Sequence, residues 1–197
     1  MDDTEAFQLY PQYRCWYNKL FLSNLFGYTC GLDSIPFTDR WIIRPIQNLE
    51  GMGIGANIDT FPLGYPIPEG KFYCEVFKGR HITIDYQRVN GTWVQGATFE
   101  GFKYPNSLIC FQRWASVDYK FDLPLILQTI QAPNINLELV GGKIIEVHLR
   151  CNPDPIQYKE YRPIWNQIYS SQNCPPGFKF VADLSEINLG RLGFFCR

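Results

Sequence analysis

The segment NINLELVGGKIIEVHLR, residues 134–150, is two apolar-rich runs joined by Gly141-Gly142, with charged groups threaded through them. In its second half Ile145, Val147 and Leu149 alternate with Glu146, His148 and Arg150. In a strand this alternation sends the aliphatic side chains to one face and the polar ones to the other. The pattern therefore demands a half-buried hairpin, and its register decides what the polar face can do. A simple two-residue turn at the glycines opposes Glu138 to Ile145. A three-residue or bulged turn opposes Glu138 to Glu146. Two carboxylates brought together repel unless a cation lies between them, and an oxygen-rich set suits Mg2+. The competing reading is a salt-bridged, solvated strand face in which Arg150 neutralises Glu146.

The rest of the chain supplies more strands than helices. RWIIRPI (40–46), KFYCEVF (71–77) and RHITIDYQRV (80–89) read as strands, and Asn90-Gly91 followed by TWVQGATFEG gives a hairpin. QYRCWYNKLFLSNLFG (12–27) reads as a helix stopped by Gly27, and DLPLILQTIQ (122–131) as a helix capped by Asp122. Further strands are expected at GFKFVAD and RLGFFCR in a Pro-broken, aromatic tail over 155–197. FPLGYPIPEG (61–70) admits no helix. This order argues an α+β fold with mainly antiparallel sheets.

After the first of these strands comes a glycine run, Gly51, Gly53 and Gly55, with Arg44 on the strand itself. Alternate glycines let a backbone present several N–H groups to one anion, and a guanidinium adds positive charge. The spacing is not that of a dinucleotide loop or a P-loop, so phosphate binding and a plain hairpin tip stand as equals.

At 197 residues the chain is one domain or two small lobes. With 18 basic and 19 acidic residues, nothing signals a nucleic-acid partner. The N-terminus lacks a signal-peptide pattern, and no apolar run approaches the roughly 20 residues of a membrane span. Seven cysteines without a Cys-x-x-Cys motif read as reduced thiols, hence a cytoplasmic protein with no assigned cysteine chemistry.

Taken in order, these pieces resemble the ATP-grasp superfamily of ATP-dependent carboxylate–amine ligases, over roughly residues 15–154. The hairpin is similar to the family's acid strand followed by Glu-x-Asn-x-Arg. The resemblance implies that Glu138, Glu146 and His148 hold Mg2+ ions on ATP phosphates, and that Arg150 is catalytic, steadying an anionic acyl phosphate or oxyanion. It implies ATP contacts from Lys19, from Arg44 with Gly51, Gly53 and Gly55, and from a hinge strand at Glu75, Val76 and Phe77, with His81 near the ribose. It further implies two small lobes with the nucleotide cleft between them: about 40–90 clamping the nucleotide, and about 91–154 with the tail binding metal. Small-molecule or peptide carboxylates and amines would be the substrates.

Two departures matter. His148 stands where an Asn is usual, and imidazole is a poorer Mg2+ ligand than an amide oxygen; the exchange either shifts the preference toward Mn2+, leaves one ion bound through water, or marks a degenerate binding fold. Too little chain precedes Lys19 for the usual N-terminal substrate lobe, so the tail, residues 96–118 or a partner protein would hold substrate. The compact size resembles ATP-grasp-like proteins of tailed phages, which would place it in a host cytoplasm. A nucleotide-binding pseudoenzyme or a structural protein is the alternative.

Overall fold

A computed structural model describes residues 1–49, 53–105, 107–108, 110–165, 173–183 and 190–197. Gly51 lies outside these residues. Two antiparallel sheets dominate, one of four strands and one of eight. The smaller contains β1 (Cys30–Gly31), β2 (Asp39–Pro45), β3 (Asn57–Phe61) and β4 (Lys71–Glu75), in the order β1-β4-β2-β3. The larger contains β5 (His81–Val89), β6 (Thr92–Lys103), β7 (Phe111–Ser116), β8 (Asn134–Val140) and β9 (Lys143–His148). It is completed by β10 (Glu160–Trp165), β11 (Lys179–Ala182) and β12 (Arg191–Cys196), and runs β11-β12-β10-β7-β6-β5-β8-β9. The strand 81–89, expected with the small nucleotide-clamping lobe, is hydrogen-bonded instead between β6 and β8. The boundary between the sheets therefore falls near residue 76, not 90.

The alternation of the sequence becomes a two-faced sheet. Ile82, Ile84, Tyr86, Ile135, Leu137, Leu139, Ile144, Val147 and Leu149 form one core under β5, β8 and β9. At about 25 cal/mol per Å2 of apolar surface buried, a continuous layer of this kind fixes the register of all three strands. His81, Thr83 and Asp85, with Asn136, Glu138, Glu146 and His148, occupy the alternate positions. A second core of Phe99, Trp114, Tyr161, Phe194 and Cys196 joins the tail strands to the same sheet. The aromatic tail thus completes the fold. A third core of Ile35, Trp41, Ile43 and Phe61 supports the four-stranded sheet.

Two helices differ from their expected form. The stretch 12–27 is broken at Asn18: a 3-10 turn spans Pro11–Tyr17 and helix α2 spans Lys19–Leu25, preceded by α1 (Asp3–Leu9). Asn18 leaves the helical region and accepts from the Phe21 N–H at 2.8 Å, while the Lys19 N–H donates to the Ile46 carbonyl at 2.7 Å. Gly27, at φ +70°, ends the segment as expected. The helix expected over 122–131 shrinks to α3 (Leu125–Gln128), with Pro124 in the capping position and no side-chain cap from Asp122. Its continuation is prevented because Trp93 Nε1 and Arg88 Nη1 take the Gln128 and Ile130 carbonyls at 3.2 and 2.9 Å.

The hairpin turn combines both registers considered from the sequence. Gly141 and Gly142 form a two-residue turn with φ of +59° and +80°, and Val140 pairs with Lys143. One residue later the register slips: Leu139 pairs with Ile144, and Glu138 with Glu146, leaving Ile145 as the extra residue of a bulge. Ile145 is therefore not on the aliphatic face; Ile144 takes that place in the core. A Cβ on Gly141 would lie 2.2 Å from the Lys78 carbonyl oxygen. Replacing Gly141 by Ala should cost about 2–3 kcal/mol through left-handed strain and this clash, read as a lowered urea midpoint.

Candidate functional site

A cleft of about 800 Å3 is lined by residues of both sheets. The four-stranded side contributes Ile42, Arg44, Pro45, Gly53, Ile54 and Ala56, and the connection after β4 contributes Glu75, Val76 and Phe77. The polar face of the eight-stranded sheet contributes His81, Lys103, Asn136, Glu138, Glu146, His148 and Arg150. Lys19 and Asp3 reach in from the N-terminal segment.

The bulge places Glu138 directly opposite Glu146, so the carboxylates share a face, with His148 two residues on. One ligating atom each from Glu138, Glu146 and His148 lie within 4.8 Å of one another. His148 is clamped through Nδ1, 3.0 Å from Asp3 Oδ1, which leaves Nε2 facing Glu146 Oε2 at 3.4 Å without a directed hydrogen bond. A ring held by a carboxylate on one nitrogen and open on the other is the arrangement of a metal-ligating histidine. The donor set of two carboxylates and one imidazole thus fits a divalent ion, with the nitrogen favouring Mn2+ over Mg2+. Ligation requires His148 to give up a proton it holds firmly. Burial disfavours the imidazolium, but Asp3 and Glu146 outweigh it and push the pKa up to about 9.

The site is dense in charge and largely self-compensated. Lys19, buried, places Nζ 2.5 Å from Glu146 Oε1. Against its burial, Lys19 and His148 hold the Glu146 carboxyl well below the usual carboxylate range. His81 Nε2 lies 3.1 Å from Glu138 Oε2 and, against burial and the charge of Glu146, holds Glu138 low as well. Arg150 pairs with Asp3 Oδ2 at 2.5 Å and donates to the Cys151 carbonyl at 3.1 Å; it does not neutralise Glu146.

The other sequence-predicted residues are placed as follows. Arg44 is 6% exposed, its Nε has no hydrogen-bond partner, and no carboxylate pairs with it among the described residues. Gly53 and Gly55 both have positive φ, at +67° and +73°; Gly53 lines the cleft, whereas Gly55 packs against Pro45 and its carbonyl accepts from Lys71 Nζ at 2.8 Å. Glu75 is engaged by the Thr29 N–H at 3.0 Å and by Lys143 at 3.3 Å. Phe77 packs edge-on to Tyr28 at 4.7 Å.

Asp3 and Lys103 are among the cleft residues that escaped the sequence reading. Asp3 is 5% exposed and holds both His148 and Arg150. The pattern Asp2-x-x-Glu5, which forms a capping box, signals the helix that carries it. Lys103, at the end of β6, has no ion-pair partner among the described residues; its ammonium sits 5.0 Å over the Phe111 ring, and burial pushes its pKa down. No local pattern marks it.

No family model and no curated protein matches the chain. Solved structures do. N5-carboxyaminoimidazole synthetase from Staphylococcus aureus, complexed with ADP, superposes with a TM-score of 0.62 at 8% identity, covering 94% of this chain and 68% of that one. An ATP-grasp superfamily protein from Archaeoglobus fulgidus matches at 0.54 and 12% identity, covering 93% and 65%. Phosphoribosylamine–glycine ligase from Thermotoga maritima matches at 0.53 and 11%, covering 93% and 71%. The fold is therefore that of the ATP-grasp superfamily. This chain spans about two-thirds of the length of those structures. No helix among the described residues is long and apolar enough to cross a membrane.

The raised pKa of His148 has a signed consequence. Its contribution to stability is complete below the ordinary value of 6.5 and is lost as pH rises through about 9. The urea midpoint should fall over that range in the wild type, and the fall should be smaller in His148→Gln; identical alkaline profiles would contradict a buried imidazolium.

Proposed function

We propose that the chain binds ATP with divalent cations in this cleft and acts as an ATP-dependent ligase joining a carboxylate to an amine through an acyl phosphate. The observation that carries the reading is Arg44. A buried guanidinium without a carboxylate partner is costly unless an anion from outside completes it. It lies in the cleft that also holds Glu138, Glu146 and His148, as a polyphosphate bridging the two sheets requires. The ATP-grasp fold supports the same reading.

In this scheme Glu75, Val76 and Phe77 border the adenine and His81 lies near the ribose. Arg44, Lys19 and the backbone around Gly53 meet the phosphates. Glu138, Glu146 and His148 would hold Mg2+ or Mn2+, which when bound offsets negative charge on the phosphates. A substrate carboxylate oxygen attacks the γ-phosphorus, the bond to ADP breaks, and an acyl phosphate forms. Arg150 and Lys103 offset the charge on it. The amine nitrogen then attacks the acyl carbon; the carbon–oxygen bond breaks, phosphate leaves, and the nitrogen loses a proton. Such catalysis is positioning and electrostatics, with no nucleophilic side chain required.

A second reading is favoured by one observation. Glu146 is already paired with Lys19 and near His148, and Arg150 with Asp3. A site compensated in this way suits nucleotide binding without turnover.

Thermal-shift titration with ATP and Mg2+ or Mn2+ tests both readings. A bound nucleotide raises the melting temperature by mass action. Arg44→Met should weaken ATP binding about tenfold or more, and Glu146→Ala should abolish the metal-dependent part while leaving a folded protein. Absence of any shift with either metal would overturn nucleotide binding. ATP binding without ADP or phosphate release across a panel of acids and amines would select the pseudoenzyme.

A further inference from the structure

The proposed chemistry uses no cysteine, yet the strand pairing sets two free thiols face to face. Cys30 on β1 is the register partner of Cys74 on β4. The Glu75 N–H donates to the Thr29 carbonyl at 2.9 Å, so residues 29 and 75 form the hydrogen-bonded pair and residues 30 and 74 the non-hydrogen-bonded pair beside it. Opposed residues of that kind share a face, with Cα atoms about 4.5 Å apart. Disulfides span Cα separations of about 4.4–6.8 Å, so closing this bond takes side-chain rotation and no shift of the strands.

Both thiols are held by single weak contacts. Cys30 Sγ donates to Asn24 Oδ1 at 3.4 Å, and Cys74 Sγ lies 3.8 Å from Ser23 Oγ. Ser23 and Asn24 are consecutive residues of α2, so the two sulfurs converge on one end of that helix. Sulfur is a weak donor and a weak acceptor, and turning either thiol away gives up little. The Ser23 hydroxyl stays satisfied, because it donates to the Lys19 carbonyl at 2.8 Å.

The two cysteines differ in access. Cys74 is 1% exposed, whereas Cys30, in a two-residue strand at the sheet edge, is half-buried. An oxidant therefore meets Cys30 first. Burial raises both thiols above the ordinary range, and the charge of Arg44 opposes it at each. The pair is thus slow toward weak oxidants.

We propose that Cys30 and Cys74 are a reversible redox pair, whose disulfide staples β1 to β4 beside the cleft. Hydrogen peroxide oxidises the Cys30 thiol to a sulfenic acid; the O–O bond breaks and one water leaves. The Cys74 sulfur then attacks the Cys30 sulfur. The S–S bond forms, the S–O bond breaks, and the hydroxyl departs with the Cys74 proton as a second water. Two thiols are oxidised and one peroxide is reduced. Cys74 itself lines the cleft, and β4 runs on into Glu75, Val76 and Phe77, so the staple ties the edge strand to that wall. The pairing stands independently of the ligase reading.

Peptide mapping decides the matter. The folded full chain is treated with hydrogen peroxide, its remaining thiols are alkylated, and its peptides are mapped without reduction. Cys30 and Cys74 should be found joined, and dithiothreitol should reopen them. The oxidised wild type should also unfold at a higher urea midpoint than Cys30→Ser treated alike, since the bridge closes the long loop between residues 30 and 74 in the unfolded chain. No Cys30–Cys74 peptide from the folded protein, a link that forms only in urea, or an oxidised midpoint below that of Cys30→Ser overturns the proposal. Should Cys30→Ser fail to fold by circular dichroism, the mapping on the wild type still decides.

Discussion

One extra residue on β9 sets the geometry on which the rest depends. Ile145 lets the pairing slip so that Glu138 and Glu146 face each other, while Ile144, Val147 and Leu149 stay in the core. Side chains alternate with a period of two, so without the slip Glu138 would face Ile145 and the two carboxylates would lie on opposite faces. The tight turn at Gly141-Gly142 and the chain segment pressed against it fix where that slip occurs. A core-driven register and a steric turn together place two acids where mutual repulsion would separate them.

Holding those acids requires charge from elsewhere, and it comes from three directions. Lys19 arrives because Asn18 breaks a helix and ties the chain to the end of β2. His81 arrives from β5, opposite Val140 on β8. His148 is supplied by β9 itself and made cationic by Asp3 on α1. Each pairing repays part of the desolvation cost of burying its partner. Arg44 stands apart, buried in the opposite wall of the cleft without such a partner among the described residues.

Much of the framework was legible from local patterns. The Asn90-Gly91 hairpin, the strands at 40–46, 71–77 and 80–89 and the tail strands all rest on alternation and turn chemistry. The helices were read less well, because their ends are set by distant groups: Trp93 and Arg88 capture the carbonyls that would have prolonged α3. The grouping of 81–89 with the smaller sheet failed for a similar reason, since a strand's neighbours depend on the whole sheet and not on its own residues.

By itself the sequence determined that residues 134–150 form a two-faced hairpin carrying Glu138, Glu146, His148 and Arg150. Period-two alternation and paired glycines leave the backbone little else. Only the tertiary structure decided that the hairpin slips at Ile145, that Asp3 is the partner of both His148 and Arg150, and that Lys103 lines the same cleft. Those are contacts across as many as 147 positions of chain. They are fixed by how sheets stack and where buried charges find partners, which no local spacing records.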